Sequence, residues 1–237
     1  MKTFKFLGLA VGLFIIQFSA LAQVPVDGSE ILLDKLRLNK GIKGDEAMLY
    51  ANITGDPYLF KDYQKGVLVV SSGTKFNVNV RYDIYANEIH LKDKEAEYAI
   101  IHPEKVKSIE VDGLKFIYSP YVKSGSETVT KDGGYFIVKT DGPCKLLIRK
   151  NLRIQDPEPA KLYQEAKPAK FIHLDDTYYI KLNDQSAVRV RTEKDLLTAL
   201  ADQKAPLSKF IKSNRLGTKD VEDLSKIVTF YNEGMKK

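Results

Sequence analysis

Between Pro57 and Arg191, apolar residues recur at every second position, in short runs separated by turn residues and without intervening helical spacing. The clearest run is Lys75 to Tyr82, where Phe76, Val78, Val80 and Tyr82 alternate with Lys75, Asn77, Asn79 and Arg81. Successive strand side chains point to opposite faces, so one face is apolar and the other meets water, as in an antiparallel sheet laid on a core. Val67 to Val70 precedes this run; Glu88 to Lys92 and Tyr98 to Ile101 follow it. Lys107 to Val111 and Leu114 to Tyr118 are joined by Asp112-Gly113, the pair that suits a two-residue hairpin with positive φ at both turn positions. Tyr135 to Lys139 pairs with Cys144 to Lys150. Its Phe136-Ile137-Val138 core is apolar on both faces, which predicts a central strand. Gln155 to Lys170, with Pro157, Pro159 and Pro168, reads as an extended connector crossing the sheet. Phe171 to Leu174 and Tyr178 to Leu182 then flank a turn at Asp175-Asp176-Thr177, and Ala187 to Arg191 closes the series. About ten strands with such spacing predict an antiparallel meander, sandwich or open barrel over residues 57–191.

The period changes at Thr192. Thr192-Glu193-Lys194-Asp195 has capping-box spacing, and Leu196, Leu197 and Leu200 follow on one helical face. Pro206 suits the first turn of a second helix that buries Leu207, Phe210 and Ile211. A third, capped by Thr218, presents Val221, Leu224, Ile227, Val228 and Tyr231. Helices this short need a docking surface, so residues 192–237 are expected to form a helical cap on the sheet. The fold class is thus mainly β with a C-terminal α cap of two or three helices.

Residues 1–22 have the layout of a secretory signal: Lys2 and Lys5, an apolar run from Phe6 to Ile16, and Ala20-Leu21-Ala22 as the cleavage site. The run is too short for a permanent anchor, so the mature chain is expected to start at Gln23, to carry no integral membrane segment, and to be periplasmic or extracellular. Residues 23–56, punctuated by Gly28, Gly41, Gly44 and Gly55, read as a loosely structured leader to the β domain. Ile31 to Leu38 is open to either a short helix or an extended segment.

The motifs of chemistry are scarce. Cys144, the single cysteine, excludes an intramolecular disulfide and reads as a small buried hydrophobe. His90, His102 and His173 are far apart and lack metal-ligand spacing. His90 reads as a water-facing strand residue, and His102 as a loop residue before Pro103. Gly125-Ser126 lacks the flanks of a nucleophile elbow, and phosphate-loop and dinucleotide fingerprints are missing. The net charge of +6, two units of which leave with the leader, is spread out rather than gathered into a nucleic-acid footprint. The expectation is therefore no catalytic, cofactor-binding or metal residue, no cofactor, no nucleic-acid partner, and no enzymatic activity. A hydrolase would instead require one of the histidines beside a carboxylate in a cleft. Tyrosines and phenylalanines without tryptophan form the one unusual inventory. Tyr58, Phe60, Tyr63, Tyr82, Tyr85, Tyr118 and Tyr121 gather around the first strands, as sheet packing or as a binding face with polar tips.

Three short stretches carry a resemblance: Asp56-Pro57-Tyr58-Leu59-Phe60, Glu165-Ala166-Lys167-Pro168-Ala169-Lys170-Phe171, and the tail pattern Lys194-Asp195-Leu196-Leu197, Phe210-Ile211-Lys212, Glu222-Asp223-Leu224 and Tyr231-Asn232. With the Ala-Gln cleavage site, they make the chain similar to a family of exported Bacteroidota proteins without an established activity. The resemblance implies a Gram-negative envelope and transfers no catalytic residue. The functional expectation is a non-enzymatic binding or interaction protein, its partner an unidentified envelope protein or small apolar ligand. The alternative is a carrier of a lipid-like molecule between sheet and helices.

Overall fold

The computed structural model describes residues 39–40, 50–94, 96–122 and 133–235. The expected signal peptide, its cleavage site at Ala22, the Ile31 to Leu38 segment and Gly125-Ser126 lie outside the described residues. The strands are β1 (Asn39–Lys40), β2 (Ile53–Thr54), β3 (Gln64–Val70), β4 (Lys75–Asp83), β5 (Glu88–Asp93), β6 (Ala96–Ala99), β7 (Val106–Val111), β8 (Leu114–Ser119), β9 (Tyr121–Val122), β10 (Gly134–Thr140), β11 (Cys144–Gln155), β12 (Ala169–Leu182) and β13 (Ala187–Val190). They form one sheet in the order β1-β6-β5-β4-β3-β7-β8-β10-β11-β12-β13-β9, with β2 added on β12. Pairing is antiparallel except for β2 with β12 and β9 with β13. Asp112 (φ 49°) and Gly113 (φ 73°) both take positive φ in the β7–β8 hairpin, as the Asp-Gly pair requires.

The sheet does not lie flat. β9 follows β8 after a single residue, Pro120, yet it pairs with β13, and Ala187 N donates to Pro120 O at 2.9 Å. Strands that are neighbours in the chain but remote in the strand order can meet only if β8 to β13 curl round. The concave side of that curl holds Ile117, Tyr121, Phe136, Leu147, Tyr179 and Ala187. The opposite faces of β8 and β10 join β3 to β7 around a larger core containing Leu68, Val80, Tyr82, Ile89, Ile109 and Phe116. β10 is therefore covered on both sides, as its apolar run predicts. β3 and β7 approach so closely that a Cβ on Gly66 would sit 2.7 Å from Glu110 O, which explains a glycine in the middle of a strand.

Helices α1 (Glu193–Ala199), α2 (Lys204–Asn214) and α3 (Val221–Gly234) cover the outer face of β11 to β13. Leu196, Leu200, Leu207, Leu224, Ile227 and Tyr231 are fully buried against Cys144, Leu146, Ile180 and Val190. Thr192 and Asp195 form a reciprocal capping box. The third helix is capped by Asp220, whose carboxylate accepts from Glu222 N and Asp223 N, and not by Thr218. An aspartate one residue before the helical face outcompetes a threonine three residues before it. Asn232 ties α3 to the sheet: its Oδ1 accepts from Cys144 N and its Nδ2 donates to Cys144 O, both at 2.9 Å.

Two strand-level expectations need correction. Asp175-Asp176-Thr177 is not a turn but the middle of β12, which is continuous and pairs with β11 on either side of an irregularity between Arg149 and Asn151. Gln155 to Lys170 does not cross the sheet; it folds back on itself as the outer part of the β11–β12 hairpin. Among the described residues there are thirteen strands, of which β1, β2 and β9 are two residues long and too short to show a periodic signal. The described part of residues 23–56 is attached to the sheet, through β1 on β6, β2 on β12, and Tyr50 OH donating to Asp83 at 3.1 Å.

Candidate interaction site

The aromatic residues separate into packing and display. Tyr82 and Phe116 pack with tilted rings in the larger core, and Tyr121, Phe136 and Tyr179 pack edge-to-face inside the curl. Tyr58 and Tyr63 clasp Arg81, whose guanidinium carbon lies 3.6 Å and 4.5 Å from the two ring centroids. Glu97 approaches the same guanidinium at 3.5 Å. Burial, reinforced by Glu97, pushes the Tyr63 hydroxyl far above its ordinary pKa, although Arg81 pulls the other way. Tyr85 is half-exposed beside Tyr50 and Phe171. The cluster is thus mainly structural.

His90 is not water-facing; it is fully buried beside Arg81, its partner across the ladder. Pro57 to Leu59 lie along the end of β4, bonded at Leu59 N to Tyr82 O and Ile84 N to Pro57 O, and bring the Tyr58 ring to 6.1 Å from the imidazole. His90 Nε2 is 3.6 Å from Glu88 Oε2, and His102 Nδ1 is 3.0 Å from Glu104 Oε1 at the surface. The clefts described among these residues are lined by neither histidine, nor by His173. Among the described residues, no group of three or more His, Cys, Asp or Glu is placed to hold a metal, and no helix is long and apolar enough to cross a membrane. Cys144 is fully buried, and burial pushes its thiol up to about 12.

The feature that packing does not explain is the outer end of the β11–β12 hairpin. Its base is held: Phe171 is buried against Tyr50, and β2 adds to Ala169 and Lys170. Beyond the base, pairs form at Glu158–Lys167 and Lys161–Gln164, and residues 159–168 are all exposed. Prolines at 157, 159 and 168 remove ladder donors, which an exposed two-stranded arm tolerates and a central strand would not. Gln164 N donates to Lys161 O at 2.9 Å and Lys161 N donates to Gln164 O at 3.1 Å, closing a two-residue tip made of Leu162 and Tyr163. Leu162 is 84% exposed and Tyr163 is 97% exposed. Tyr163 also has φ 67°, the left-handed region where glycine is favoured and a bulky side chain is an outlier. The tip thus combines an unburied leucine with a tyrosine held in a strained backbone, and neither side chain gains intramolecular packing in return.

The same arm carries the stretch Glu165 to Phe171 on which the family resemblance partly rests. No protein-family model, curated protein or solved structure matches the chain.

Proposed function

We propose that this is a non-enzymatic interaction protein of the bacterial envelope, exported by its N-terminal leader, which docks on a partner protein through the Leu162–Tyr163 tip of the β11–β12 arm. The supporting observation is the choice of residue at position 163. A tight turn with positive φ at this position is most stable with glycine, and tyrosine there costs about 1 kcal/mol or more. A side chain that is 97% exposed offsets none of that within the chain. Tyrosine and leucine on a projecting tip suit insertion into an apolar pocket of another protein, and tyrosine is enriched among residues that dominate binding energy. The carrier alternative draws less support, because the space between sheet and helices is filled by fully buried Leu146, Leu196, Leu207, Leu224 and Ile227.

The test places a photoreactive benzophenone amino acid at position 163 and, separately, at the half-exposed Tyr85 on the body. After irradiation of cells producing the exported protein, position 163 is expected to yield one discrete adduct that disappears when Leu162→Ser is added. No adduct from 163, or the same adducts from both positions, would contradict the reading.

A further inference from the structure

At the end of β11 and β12 opposite the arm, a cleft of about 530 Å³ lies between the β10–β11 turn and the β12–β13 turn. Lys107 on β7, Lys115 on β8, Lys145 on β11 and Lys181 on β12 line it, with Asp141 and Asp184 as its acidic residues. Four lysines against two aspartates leave an excess of two positive charges within one cleft. Asp141 is already saturated: Lys115 and Lys145 each donate to it at 2.6 Å, and Gly142 N donates at 2.9 Å. Lys145 and Lys181 are direct partners across the ladder, the register in which like charges destabilise a sheet. Burial and the neighbouring Lys145 accordingly hold the Lys181 ammonium below its ordinary pKa, against the pull of Asp184. Lys181 turns its ammonium toward the neutral acceptor Gln185 O at 2.6 Å, whereas Lys145 donates to Gly142 O at 2.7 Å in addition to Asp141, so Lys181 is the one of the pair without a carboxylate bond.

We propose that this cleft binds a small molecule bearing a tetrahedral oxyanion of the phosphate or sulfate kind. An anion seated between Lys145 and Lys181 would cancel their repulsion and collect charge-assisted bonds from separate strands. The donors are ammonium point charges with no planar geometry to match, so a phosphate or sulfate is favoured over a carboxylate by its greater negative charge and its additional acceptor oxygens. Ile117, Tyr118 and Pro143 on the walls give an attached organic body apolar contact. This site is independent of the arm: Lys145 and Gln155 are ten steps apart along β11, about 30 Å in a strand.

The experiment titrates the full exported chain with sodium phosphate, sodium sulfate and sodium acetate at constant ionic strength, following lysine side-chain and backbone resonances. Phosphate is expected to produce saturable shifts confined to the cleft, with a Kd on the order of 1 mM, and acetate weaker ones. Lys145→Gln/Lys181→Gln is expected to weaken phosphate binding at least about tenfold, the scale of a lost charge-assisted hydrogen bond, with only a small change in melting temperature, because the half-exposed Lys145–Asp141 bridge it loses is offset by the Lys145–Lys181 repulsion it relieves. Lys107→Gln, at the rim, provides a second variant with the backbone of β11 and β12 untouched and a smaller loss expected. Sulfate binding as tightly as phosphate assigns the site to either ester; phosphate alone assigns it to phosphate monoesters. Shifts spread evenly over the surface lysines, equal response to acetate, or unchanged binding in the double variant would overturn the proposal.

Discussion

Removing the Asn232 side chain isolates what fastens the helical tail to the sheet. Asn232 is almost fully buried, and its amide satisfies both backbone groups of Cys144, itself fully buried at the start of β11. Asn232→Ala leaves one donor and one acceptor without their partner. Each buried group so stranded costs about 1–3 kcal/mol, so the pair should cost about 2–6 kcal/mol. At ~2–4 °C per kcal/mol for a chain of this size, the melting temperature should fall by about 4–24 °C. Asn232→Asp keeps the acceptor but turns an oxygen toward Cys144 O, and should be at least as damaging. Ser225→Ala removes a single, partly buried hydroxyl contact to Thr140 Oγ1, 2.7 Å long, from the same helix and should cost no more than about 1 kcal/mol. Calorimetric melts read the shifts, and amide exchange at Cys144 reads the local cause. An Asn232→Ala protein melting within about 1 °C of wild type would refute the clamp and make the tail a loosely docked appendage.

Leu224→Ala should cost about 2–5 kcal/mol in chemical denaturation, since Leu224 is fully buried between α3 and the sheet. Tyr163→Gly should leave the melting temperature unchanged or raise it, by relieving the left-handed strain, while abolishing adduct formation at a benzophenone placed at Leu162. Asp195 accepts from Arg191 N and Thr192 N, each at 3.0 Å, and these backbone bonds hold its carboxyl below the usual range. A folded value below the unfolded one means the stabilisation is present above the unfolded pKa of about 3.9 and is lost as pH falls through the folded value. Asp195→Asn should therefore melt below wild type at pH 7, and the two melting curves should converge in acid.

The strands and the tail were legible because their signals are local. Alternation over Lys75 to Tyr82 and the Asp112-Gly113 turn need no tertiary information, and neither does the recurrence of Leu224, Ile227, Val228 and Tyr231. Structure departs from local pattern where a signal depends on the partner. Asp175-Asp176-Thr177 has turn composition, yet it continues β12 because Lys150 on the neighbouring strand pairs with Asp176 at 2.8 Å and Asp175 points to water. His90 alternates like a solvent-facing residue, but the long-range return of Tyr58 packs against it. The curl of β8 to β13 rests on the two residues of β9, too few for any period to show. The prolines of the arm have the pattern of a crossing connector but mark a hairpin exposed on both faces. Leu162-Tyr163 amid charged and polar neighbours was the available hint.

The most direct test of the arm as the working end replaces residues 159–166 with Asn-Gly, closing the Glu158–Lys167 pair with a two-residue turn. This keeps Phe171 and the β2 contact at the base and removes only exposed chain, so folding should be unaffected, within about 0.5 kcal/mol. The measurement is the native mass of the protein in mildly solubilised envelopes. A shift from a larger complex to the mass of the free chain is the predicted result. An unchanged complex formed by the shortened protein would contradict the account.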